Sequence, residues 1–166
     1  MQAIEAARWA VAGALTLVLA LAAASDIIKR KIPNWTVLAV IGLFAVWAVV
    51  QGGAGLLSAA EAAGVAIVVS VALYAFGIVG AGDSKLFAAT ALFAGMSHLG
   101  HLALLTVLSG GAIALGMFAA RPIRGLTMLQ MKGKGDWGRG VPYGVAIALG
   151  CVVVVWGGLF NVLPQL

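Results

Sequence analysis

Long apolar stretches alternate with short polar breaks along the chain, at about 9–24, 35–50, 62–79, 86–96, 102–120 and 143–163. A helix that crosses a bilayer needs roughly 20 apolar residues, within a range of about 17–25. Most of these runs reach that length once their flanks are included. The run at 86–96 is short, and it reads in two ways. It is either a separate helix that starts within the membrane, with tilt or local thinning absorbing the mismatch, or the first part of one interrupted helix continuing to residue 120.

The breaks carry their own signals. Gly52-Gly53-Ala54-Gly55 predicts a turn between the second and third runs. Proline disfavours helical geometry in the residue before it, so the first helix should end ahead of Pro33, leaving Asn34 to cap the second. Ala22-Ala23-Ala24-Ser25 has the small residues of a signal-peptide cleavage site. The basic run Lys29-Arg30-Lys31 follows at once and resists translocation, so the first segment is expected to stay as a helix.

Composition sharpens this picture. The chain is 63% hydrophobic and 9% charged, with a mean hydropathy of +1.12, whereas roughly a quarter of the residues of soluble domains are charged. Residues 1–166 suit one membrane domain, because no polar stretch is long enough to fold separately. The net charge of +5 lies in short segments between apolar runs, not on an amphipathic face with interleaved aromatics. It therefore marks topology and lipid contact rather than nucleic-acid binding.

Lysine and arginine in short loops favour the cytoplasmic side. A six-span plan with both termini on the extracytoplasmic side puts Lys29, Arg30, Lys31, Lys85, Arg121, Arg124, Lys132, Lys134 and Arg139 inside, and only Arg8 outside. Five spans would strand the first or the last basic loop on the wrong side. The expected fold is thus an all-α integral membrane protein, a bundle of six transmembrane helices. Trp9, Trp35, Trp137 and Trp156 include interface anchors, and Gly140 to Gly144 has the small-xxx-small spacing of close helix packing. Cys151 is the lone cysteine, so no intrachain disulfide or thiolate metal cluster is available.

Against this background the acids stand out, because the chain has only five. Asp26 closes the first apolar run and Asp83 opens the fourth, within Gly80-Ala81-Gly82-Asp83. Counting crossings puts both on the cytoplasmic side. A carboxylate beside hydrocarbon is costly to ionise, and two brought together can share one proton and serve as an acid/base pair. Gly80 and Gly82 permit close backbone approach, although a turn with Asp83 as a helix cap reads the same residues structurally. The segment is not a phosphate-binding loop, because the required glycine-lysine spacing is missing.

Asp26-Ile27-Ile28-Lys29-Arg30-Lys31-Ile32-Pro33-Asn34 and Gly80-Ala81-Gly82-Asp83-Ser84-Lys85 together resemble the bacterial type IV prepilin peptidase family. Its members carry an aspartate followed by a basic Ile-Pro-Asn segment, then a second aspartate in Gly-x-Gly-Asp. Val141-Pro142-Tyr143-Gly144-Val145-Ala146-Ile147-Ala148-Leu149-Gly150 looks like the start of the family's last helix. The compact size is most similar to the short Flp/Tad branch, which lacks the cysteine-bearing N-methyltransferase insert of longer members.

The resemblance implies an aspartyl endopeptidase at the cytoplasmic face of the bacterial inner membrane. Its catalytic pair would be Asp26 and Asp83, with Gly80, Gly82, Lys85, Pro33, Asn34, Pro142 and Gly144 in support. Lys85 would either tune the acid or snorkel to headgroups. The implied partner is a prepilin whose short basic leader precedes an apolar helix, with no cofactor and no metal. His98 and His101 fall at the outer end and read as interfacial. Asp136 reads as a solvated loop charge. Two other classes stay open on the residues alone. A small ion- or proton-coupled transporter would use the same acids as a pathway, and a structural scaffold would use them as helix caps.

Overall fold

The computed structural model describes residues 2–119 and 142–160. Five helices follow one another: α1 (Gln2–Lys29), α2 (Asn34–Val50), α3 (Leu56–Ala75), α4 (Ala81–Ala119) and α5 (Tyr143–Leu159). No strand occurs among the described residues. Three of the helices, α1, α3 and α4, are long and apolar enough to cross a bilayer, while α2 and α5 are apolar but shorter, at 17 residues each. Arg121, Arg124, Lys132, Lys134, Asp136, Trp137, Arg139 and Gly140 lie outside the described residues.

The apolar runs at 86–96 and 102–120, expected as separate helices, form two arms of α4 that follow each other with no loop between them. A single residue interrupts it: Gly95 has φ 61° and ψ 178°, a conformation open to glycine and costly for a side chain. The packing on either side runs in opposite directions. Near the start of α4 the Ser84 hydroxyl donates to the carbonyl of Ser70, late in α3, at 3.3 Å. At the break, the Met96 N–H donates to Ser58 Oγ, early in α3, at 2.8 Å. Beyond it the Ser109 hydroxyl donates to the Ala146 carbonyl, at the start of α5, at 3.2 Å. The arm 81–94 therefore runs antiparallel to α3, and the arm 96–119 returns antiparallel to α5. A one-residue reversal has no polar loop to betray it.

Helix ends follow local chemistry. Arg30 takes φ 53° and closes α1, its N–H bonded to the Asp26 carbonyl at 2.9 Å. Gly52, Gly53 and Gly55, all at positive φ, make the expected turn into α3. The cap of α2 differs from expectation. Pro33 occupies the cap position with φ −66°, and Asn34 is already the first helical residue. The proline ring presets that φ, while the Thr36 N–H and hydroxyl donate to the Pro33 carbonyl at 3.1 and 2.7 Å.

The core is built from Leu15, Leu19, Val40, Leu86 and Leu102, with Ala12, Ala22, Ala62, Ala66 and Ala91 almost wholly enclosed between them. Small residues let helices approach where no bulky side chain could fit. Leu17, Val49, Val68, Phe76 and Leu115 point outward instead, each more than two thirds exposed. Such a surface suits hydrocarbon rather than water.

One end of the bundle is aromatic. Trp9 lies 5.6 Å from Trp156 and 5.2 Å from Phe160 between ring centroids, and Trp156 Nε1–H donates to Thr16 at 3.0 Å. This ties the start of α1 to the end of α5. His98 and His101, 5.9 Å apart, lie just past Gly95 at the end away from the acids.

Candidate active site

Asp26 lies in the last turn of α1 and is only 7% exposed. Its carboxylate is held from across the molecule, because Oδ2 accepts the backbone N–H of Gly144 at 2.9 Å. Gly144 is the second residue of α5, where N–H groups lack intrahelical partners. Asp26 thus caps a helix separated from it by 118 positions. The acid also meets the partial positive charge of that helix end. Arg30, one turn further on, is close enough for its charge to act on the same carboxylate.

Gly144 has to be glycine here. A Cβ at this position would stand 2.9 Å from Asp26 Oδ2, 3.0 Å from Ile32 Cδ1 and 3.1 Å from Asp26 Cβ. The preceding Pro142 is buried and sits at the cap position, one residue before the helix rather than in its first turn. Its ring orients the chain as α5 begins.

Asp83 lies in the first turn of α4 and is half-buried. Its carboxylate lies against Gly80, the residue just before the helix, near enough for that backbone N–H to act on it. Asp83 stands at the N3 position, from which an acid reaches back towards the cap residue. The Gly80 carbonyl in turn accepts the Ser84 N–H at 3.0 Å and the Ser84 hydroxyl at 3.1 Å. The turn closes on itself.

The two motifs meet through Ile32, a residue that the spacing of acids and glycines gave no reason to single out. A Cβ on Gly82 would lie 3.3 Å from Ile32 Cβ, and the other end of the same side chain packs on Gly144. Ile32 is therefore wedged between the starts of α4 and α5. It brings Asp26 and Asp83 to the same end of the bundle, within electrostatic reach of each other. Ser25 steadies the connection, its hydroxyl bonded to the Lys31 carbonyl at 2.9 Å.

Lys85 does not turn to either acid. Its ammonium points to Asn34 Oδ1 at 3.5 Å, a long exposed bond between the starts of α4 and α2. Asn34 and Lys85 therefore border the site, and Pro33 stands at the cap position of α2 beside them. Tyr143, absent from the sequence-derived candidates, stands next to Gly144 and shares with Asp83 the wall of a cavity between α3, α4 and α5. Among the described residues no three His, Cys, Asp or Glu side chains gather as a metal-holding group.

Chemically, the described residues at this end present two carboxylates, Asp26 bonded to the Gly144 N–H and Asp83 lying beside Gly80, and no described lysine bonds either of them. Such a pair can activate a water and polarise a carbonyl. No curated protein and no solved structure matches the chain. The model of the type IV leader peptidase family matches residues 13–115, a stretch that holds Asp26, Ile32, Gly80, Gly82 and Asp83 and stops short of α5. That match covers more than half of the sequence, and on it the chain belongs to the type IV leader peptidase family.

Proposed function

We propose that the protein is a membrane aspartyl endopeptidase that removes the short basic leader from type IV or Flp prepilins and pilin-like proteins at the cytoplasmic face of the inner membrane. The observation that carries this reading is the convergence of Asp26 and Asp83 at one end of the bundle. One carboxylate takes a proton from a water whose oxygen attacks the scissile carbonyl carbon. The other, protonated, donates to the carbonyl oxygen. The tetrahedral intermediate then breaks its C–N bond as a proton passes to the departing amine. Like charges held close do not both ionise readily, so one proton shared by the pair is the natural resting state. Cleavage is then fastest between the two apparent pKa values of the pair.

The antiparallel arms of α4 support six crossings with both termini extracytoplasmic, the arrangement that leaves both acids on the basic, cytoplasmic side. A prepilin reaches the site laterally, its apolar helix in the bilayer and its leader in water. Gly80, Gly82, Pro33, Asn34, Lys85, Pro142 and Gly144 hold or border the acids without reacting. The test is leader removal from a co-expressed prepilin by Asp26→Asn and Asp83→Asn. Each should lower cleavage by about 10²–10⁴-fold while the protein still accumulates in membranes. Full processing by either variant would sink the pair.

A further inference from the structure

A cavity of about 480 Å³ opens between α3, the two arms of α4 and the start of α5. Asp83 and Tyr143 line it near the acids, and Val65, Met96 and Gly100 line it at the far end. Its extent along α3, from Val65 to Leu73, is about 12 Å at roughly 1.5 Å per helical residue. Apart from Asp83 the described lining residues bear no charged side chain. Three lining residues, Val69, Met96 and Val107, are about half exposed or more, so the cavity opens sideways on the apolar flank of the bundle.

Size and chemistry together select the occupant. The hydrocarbon core of a bilayer is about 30 Å thick and a span takes about 20 residues, so 12 Å is less than half of a crossing. The volume lies in the range of about 300–1,000 Å³ found for ligand pockets. A whole helix does not fit, and a basic leader would meet only Asp83 as a charge partner on the described, otherwise apolar walls. Short apolar peptide does fit. Because Asp83 is part of the wall, a peptide bond placed at the acid continues directly into the cavity.

We propose that this cavity binds the first apolar residues of the substrate beyond the scissile bond. It takes about four of them if extended, at roughly 3.3–3.6 Å each, or about eight if helical. The rest of the substrate helix stays in lipid. This inference rests on the leader-peptidase reading above. It assigns selection of the cut site to Tyr143, Ile147 and the second arm of α4 as well as to the acids.

The test uses the full chain in bilayer nanodiscs with a prepilin-type peptide. A photo-crosslinking side chain replaces Ala103, on the cavity wall, in the Asp26→Asn background so that the peptide stays uncut. Crosslinks should map within about eight residues after the leader junction. Crosslinks to phospholipid alone, to the leader, or only to later residues would overturn the assignment. In a second arm, Gly100→Leu adds bulk at a lining residue where a Cβ would meet nothing within 4 Å. It should shift the kcat/KM ratio between an apolar substrate and one with alanines after the junction by about 10-fold towards the alanines. An unchanged ratio would contradict the proposal. Mapped crosslinks without any cleavage by the unsubstituted protein would uphold the cavity and defeat the peptidase reading. Cleavage with lipid crosslinks alone would do the reverse.

Discussion

Asp26 and Asp83 share one end of the bundle but are held in opposite ways. Asp83 belongs to its own turn, with its partner Gly80 three residues before it and solvent beside it. Asp26 is buried, and its partner Gly144 comes from the last helix of the protein. Asp83 can thus be formed as soon as α4 starts, whereas Asp26 is set only when α1 and α5 pack. The pair joins a locally built acid to one built by the whole fold.

The glycines that face the two acids should break this difference most visibly. A methyl at Gly144 meets Asp26 Cβ at 3.1 Å and Ile32 as well as the carboxylate, so nothing nearby turns aside cheaply. Overpacking of this kind costs about 1–3 kcal/mol. Gly144→Ala should lower the thermal midpoint in detergent and reduce cleavage by about 10²-fold as Asp26 is displaced. A methyl at Gly80 closely meets only the outer oxygen of Asp83, at 2.9 Å, and that side chain can rotate away. Gly80→Ala should leave the midpoint almost unchanged while still slowing cleavage. Equal midpoints for the two variants would remove the contrast.

Truncating the acids themselves gives the next effect. Asp26→Ala leaves the buried Gly144 N–H without its acceptor, at a cost of about 1–3 kcal/mol. Asp83→Ala removes a carboxylate that lies beside the exposed Gly80, and the loss of such a capping acid costs about 1 kcal/mol or less. Asp26→Asn keeps an acceptor oxygen and should recover most of the lost stability, though not the activity. Denaturant or thermal unfolding of the three variants ranks them directly.

The smallest effect concerns Lys85. Its 3.5 Å contact with Asn34 is long and exposed, so Lys85→Gln should change stability by no more than about 0.5 kcal/mol and cleavage by about twofold. A loss as large as that of Asp83→Asn would mean that the ammonium tunes the acid after all.

The same contrast explains what the sequence revealed. Everything local was legible: the acid three residues after Gly80, the proline before α2, the glycine turn before α3 and the apolar runs. What lay beyond it depended on contacts between distant segments. The resemblance put Gly144 in support of the acids, but its bond to Asp26 was not legible, since only the packing of α5 against α1 brings that N–H to the carboxylate. Ile32 entered only as part of the basic Ile-Pro-Asn segment and was given no role, yet it packs between Gly82 and Gly144. Gly95 was one glycine among 23, and its role as a reversal depends on Ser58 receiving the Met96 N–H. Asn34 was misplaced as a cap because Pro33 and Thr36 settle the start of α2 between them.

The claim that unites these observations is that the two acids act as one unit despite their different supports. A double-mutant cycle on leader cleavage tests it most directly, with rates measured for Asp26→Asn, Asp83→Asn and the two combined, in protein shown to be folded. Groups that act together give strongly non-additive losses. The expected result is that the double variant loses no more activity than either single one. Losses that multiply, each acid contributing independently of the other, would contradict the account.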